Sequence, residues 1–111
     1  MKLDTKQQVL LAFYIEYQKD LPNMKNITNT DLNMDIDVFH VAVEKLDNEG
    51  YIGTNDIKLT RDGIEYVEQS FGIQKEITAE DKVKYVVKQC GIYGLKALKM
   101  FGEAALAALI K

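Results

Sequence analysis

A chain of 111 residues can bury one modest core, and two complete domains would leave each half marginal. Its composition, 47% hydrophobic and 28% charged, is that of a globular chain and excludes a wholly disordered one. The net charge of −3 is unevenly divided: residues 1–71 carry 7 Lys and Arg against 13 Asp and Glu, and residues 72–111 carry 7 against 4, so attraction to phosphate or anionic lipid must come from the tail or from local clusters.

The lone cysteine, Cys90, has no partner for an internal disulfide. The amino terminus lacks the charged-then-apolar order of a secretory signal, so a cytoplasmic location is expected. With a single histidine, His40, beside that single cysteine, neither a zinc site nor any other cofactor is expected.

Asp4 and Gln7 have the spacing of a capping pair for a first helix, which runs to about Lys19 and stops before Leu21-Pro22. Leu10, Phe13, Tyr14 and Tyr17 form its core stripe, extended by Leu3 and Leu21. Leu11 and Ile15 fall roughly 110° to 150° away from that stripe, an apolar strip on the outer side that calls for a cover.

A linker from Pro22 to about Thr28 leads to a short helical turn near Thr30 to Met34. Asp35 caps a longer helix through Glu49, ended by Gly50, with Ile36, Phe39, Val43 and Leu46 inward and Ala42 small enough for close packing. Two helices in tandem predict a helix-turn-helix. Tyr51-Ile52-Gly53 and Ile57-Lys58-Leu59-Thr60, around the polar turn Thr54-Asn55-Asp56, predict a β-hairpin. Thr60 caps a further helix with Ile64, Val67 and Phe71 inside.

The reading is a mainly α fold with a small β-hairpin: a winged helix-turn-helix domain over residues 1–71 and a C-terminal helical extension over 72–111. The run Leu46-Asp47-Asn48-Glu49-Gly50-Tyr51-Ile52, followed by Leu59-Thr60-Arg61-Asp62-Gly63 and Tyr66, resembles the small bacterial YjcQ-like winged-helix proteins, often prophage-associated. The resemblance covers roughly residues 5–71 and implies a winged-helix fold with a nucleic-acid role; it brings no active site with it.

In the extension, Thr78 and Asp81 mark a helix start, and Val83, Val86, Val87 and Cys90 make a stripe to about residue 90. Gly91 and Gly94 predict a bend or break. Leu95 to Ile110 is apolar on most sides, with Lys96, Lys99 and Glu103 as a narrow polar stripe.

Function is less legible. In a winged helix the third helix enters the major groove, where cations and amides meet phosphates and base edges. Here Asp35 to Glu49 hold five acidic residues and one lysine, and the outer face presents Asp37, Val41, Glu44 and Asn48. The candidate nucleic-acid contacts are therefore Lys25, Asn29, His40, Lys45, Asn55 and Lys58, each weighed against ordinary solvated surface. The preferred reading is a non-enzymatic, DNA-associated regulator. The alternative is a protein-interaction module that uses the acidic third helix, at Asp37, Val41 and Glu44, and the apolar C-terminal helix, without DNA. For that tail three fates stay open: docking on its own chain, a homodimer seam, and a membrane or a different protein. The dimer seam leads, with Leu95, Leu98, Phe101, Ala105, Leu106 and Leu109 as contacts and Leu11 and Ile15 as a matching surface. Interfacial membrane attachment would use Lys82, Lys84, Lys88, Lys96 and Lys99. No phosphate loop or catalytic constellation is present in the sequence; His40 reads as a solvated side chain and Cys90 as a buried, inert thiol.

Overall fold

A computed structural model describes residues 3–53 and 58–109. Asp4 starts the first helix, α1 (Thr5–Tyr17): its carboxylate accepts the Gln7 amide at 2.8 Å while the Gln7 side chain accepts the Asp4 amide at 3.0 Å. Two of the helix's first free N–H groups are thereby satisfied. From Val9 to Glu16 every residue of α1 is buried. A helix hidden on all sides is the centre of a fold, and the other elements are laid around it.

The segment between α1 and the next helix departs from expectation. Met24–Asn26 form a single 3₁₀ turn inside the presumed linker, and no helix follows at residues 30–34. Thr28 and Asp31 make the reciprocal bonds of a helix start, but Asn33 takes a left-handed backbone (φ 52°) and the chain closes after one turn. The Met34 amide donates to the Asn29 carbonyl at 3.1 Å and the Asn29 side-chain amide donates to the Met34 carbonyl at 3.0 Å, which locks that turn.

Helix α2 (Ile36–Asn48) begins at Asp35, whose carboxylate accepts the Asp37 amide at 2.8 Å. Its buried residues are Phe39, Ala42 and Leu46, with Val43 half-buried. Ile36, expected inside, is 52% exposed. After the left-handed Gly50 (φ 80°) the strands β1 (Ile52–Gly53) and β2 (Lys58–Leu59) pair antiparallel, Ile52 opposite Leu59.

Thr60 ties this hairpin to helix α3 (Arg61–Phe71). Its hydroxyl donates to the Gly50 carbonyl at 2.6 Å and accepts the Gly63 amide at 3.1 Å, while its own amide donates to the Tyr51 carbonyl at 3.0 Å. Tyr51 and Tyr66 stack at 4.7 Å over the same joint.

Thr78 caps α4 (Ala79–Ile92), and the left-handed Gly94 (φ 71°) turns the chain into α5 (Lys96–Leu109). These two helices form a hairpin packed tightly at Gly102, where an added Cβ would lie 2.7 Å from Val87 Cγ2 and 3.5 Å from Ile15 Cδ1. The pair packs on α1, and Val83, Val86, Cys90, Leu98 and Ala105 join the same core as Leu10, Phe13 and Leu46.

The fold is thus mainly helical with one small two-stranded antiparallel hairpin. No described helix is long and apolar enough to cross a membrane.

Candidate functional site

The strip formed by Leu11 and Ile15 is covered by the chain's own tail. Both are buried, Leu11 beside Phe71, Tyr85 and Val86 and Ile15 against Gly102. Leu98 and Ala105 are buried in the same packing, and Leu95, Phe101, Leu106 and Leu109 lie half-buried around them. Leu11, Ile15, Leu98 and Ala105, foreseen as contacts between two copies, are thus buried within one chain. Tyr17 and Leu21, placed in the core stripe from sequence, are exposed instead, because α1 ends at Tyr17 and the chain turns away beyond it.

The residues proposed for nucleic acid do not all gather on one surface. Lys25 and His40 line a cavity beside the hairpin, and Lys25 and Lys58 line an adjoining cleft with Tyr17 and Pro22. Lys45 lies elsewhere, in a groove between the start of α1 and α2. Asn29 spends its side-chain amide on the turn at Met34. Asn55 lies outside the described residues.

That groove between α1 and α2, about 320 Å³ in volume, is lined by Thr5, Lys6, Asp37, Val38, Val41 and Lys45, with Ala42 between them. Val38 and Val41, one helical turn apart, are 44% and 51% exposed, so the solvent-facing side of α2 carries an apolar ledge among carboxylates. Beside it Asp37, Glu44 and Asn48 are exposed on the outer face. The Lys6 ammonium donates to Glu49 Oε1 at 2.6 Å, and that hydrogen bond raises the Lys6 pKa above the ordinary lysine value. The cation on the α1 side of the groove is therefore already engaged, while the acids facing out from α2 form no ion pair among the described residues.

A second polar feature went unnoticed in the sequence. Glu68, 4% exposed, accepts the Tyr14 hydroxyl at 2.8 Å and the Lys82 ammonium at 2.9 Å on one oxygen, joining α1, α3 and α4. The signal was available: Ile64, Val67, Glu68 and Phe71 stand at i, i+3, i+4 and i+7, so the carboxylate falls in the apolar stripe. Its role is structural, since both partners hold it between helices.

Comparison of the chain with protein-family models, with curated proteins and with solved structures finds no match. The functional reading therefore rests on the surfaces themselves. Among the described residues no group of three or more His, Cys, Asp or Glu side chains is placed to hold a metal ion.

Proposed function

We propose that this chain is a non-enzymatic module of winged-helix type that acts by binding a protein segment on the outer face of α2. The order helix, turn, helix, hairpin, helix supports the winged-helix part, as does the YjcQ-like run from Leu46 to Tyr66; the tight turn at residues 29–34 stands in for the second helix. The observation that carries the functional part is the composition of the α2 face: exposed Val38 and Val41 flanked by exposed Asp37 and Glu44. Carboxylates at that position repel a phosphate backbone, whereas an apolar ledge beside acids suits a basic amphipathic segment, whose apolar residues fill the groove while its cations meet the rim. Since the tail's apolar residues are used within the chain, the reading requires no second copy.

Residues Lys25, His40 and Lys58 support a second reading, in which DNA is met by the hairpin side rather than by α2. One titration separates the two. Isotope-labelled protein is mixed at low salt with a basic amphipathic helical peptide and, separately, with a generic duplex DNA. Saturable shifts at Val38, Val41 and Ala42 with the peptide, lost in Asp37→Lys and Glu44→Lys, support the protein-binding reading. Shifts confined to Lys25, His40 and Lys58 with DNA, steeply weakened by salt and unmatched by the peptide, would replace it.

A further inference from the structure

The cleft beside the hairpin has a more apolar lining than the α2 groove. It measures about 300 Å³ and is walled by Phe13, Met24, Ile27, Phe39, Val43 and Ile52, with the backbone at Gly53 closing one side. Phe13, Met24, Ile27 and Ile52 are core residues, so the floor of this cleft is the edge of the hydrophobic core. An apolar space of roughly 150 Å³ already holds a benzene ring, and pockets for small ligands start at about 300 Å³. The space fits one ring, or a short alkyl chain, with an arm reaching solvent.

Two of its lining side chains are polar, and both are exposed: Lys25 and His40. The His40 ring stands tilted at 6.1 Å from Phe39, so an imidazole borders the aromatic part of the lining. Lys25 is held nearby by the 3₁₀ turn, where its amide donates to the Asn23 side chain at 3.1 Å, and its ammonium is in no ion pair among the described residues. An apolar pocket with a cation and an imidazole among its exposed lining residues is complementary to an apolar body carrying one negative charge.

We propose that this cavity is a binding site for a small amphipathic monocarboxylate, its ring or short chain seated between Phe13, Phe39 and Ile52 and its carboxylate against Lys25 and His40. The site is independent of the α2 groove: Lys25 and His40 take no part in the groove, and Val38 and Val41 take none in the cavity.

The test is a methyl-detected NMR titration of the full chain with phenylacetate, with its neutral amide phenylacetamide, and with inorganic phosphate. Phenylacetate should shift the Ile27, Val43 and Ile52 methyl signals saturably in the millimolar range, and phenylacetamide should bind the same methyls about tenfold more weakly. Lys25→Gln, a surface change that leaves the core intact, should remove that tenfold preference without altering the affinity for the amide. Val43→Phe should block both ligands by filling the cavity. Absence of saturable shifts at tens of millimolar phenylacetate, equal affinity for acid and amide, or the same shifts with inorganic phosphate would each overturn the proposal.

Discussion

The Tyr14 hydroxyl donates to Glu68 Oε2 at 2.8 Å in the middle of the molecule, and the same oxygen receives the Lys82 ammonium at 2.9 Å. A buried carboxylate is tolerable only because both donors are in place. Tyr14→Phe, which removes one bond and little volume, should cost about 1 to 1.5 kcal/mol in urea unfolding. Glu68→Ala should cost more, about 3 to 5 kcal/mol, because it leaves the Lys82 ammonium without its anion. Combining Tyr14→Phe, Glu68→Leu and Lys82→Met should recover most of the loss. A triple variant no more stable than Glu68→Ala would show that the network contributes beyond its own desolvation.

Two buried acids make the fold sensitive to alkali. Burial pushes the Cys90 thiol up to about 11 from its ordinary 9.0, and burial together with the bond to Glu68 raises the Tyr14 phenol above its ordinary 10.0. In both cases the native state keeps a proton that the unfolded chain releases. Stability is therefore complete below the unfolded values and falls as pH rises, from about pH 9 for Cys90 and from about pH 10 for Tyr14. For Cys90 the full effect is on the order of 2 to 3 kcal/mol by pH 11. Urea midpoints measured from pH 7 to 11 should decline over that window, and Cys90→Val should remove the component that begins first. A midpoint flat to pH 10 in the parent chain would contradict the burial of this thiol.

Close approach at two glycines gives a pair of contrasting outcomes. At Gly63 an added Cβ would lie 2.2 Å from the Tyr51 carbonyl oxygen and 2.9 Å from Leu59 Cδ1, where backbone meets backbone at the hairpin joint. Gly63→Ala should cost at least about 2 to 3 kcal/mol despite alanine's better helix propensity. At Gly102 the obstruction is the Val87 side chain, at 2.7 Å. Gly102→Ala alone should destabilise, whereas Gly102→Ala with Val87→Ala should return close to the Val87→Ala value. Thermal unfolding of the four variants decides whether the two sites differ in this way.

Local chemistry made much of this fold legible. The Asp4, Asp35, Thr60 and Thr78 caps, the Gly50 stop and the Gly94 turn are each fixed by a few neighbouring residues, and all appear where the sequence places them. The short helix near Thr30 did not form, because Asn33 supplied a left-handed stop that composition alone does not reveal. Burial was legible only where a helix has one packing partner. Helix α1 has partners on several sides, so a single stripe misassigned Leu11 and Ile15, and Ile36 faces solvent because it lies off the buried stripe Phe39, Ala42 and Leu46 of α2. Lys45 falls apart from Lys25, His40 and Lys58 for the same reason: their grouping depends on how α2, the 3₁₀ turn and the hairpin meet, which no spacing along the chain encodes.

The cover over Leu11 and Ile15 yields the last prediction. Leu98 and Ala105 of α5 are buried on the packing that encloses these residues, and Gly102 between them leaves no room for a Cβ against Val87. Leu98→Ala should leave a cavity and cost about 2 to 5 kcal/mol. Leu98→Glu should do worse, since an unpaired carboxylate would be forced into the same space. Were α5 instead held mainly by a second copy, both losses would shrink as protein concentration fell, because dissociation would already have removed the contact. Urea unfolding of the parent chain and of Leu98→Ala over a hundredfold range of concentration distinguishes the two. Midpoints independent of concentration, with the full Leu98→Ala cost at every dilution, are expected for a tail docked on its own α1. Midpoints that climb with concentration would place part of that burial between copies and return the seam to the list of functional surfaces.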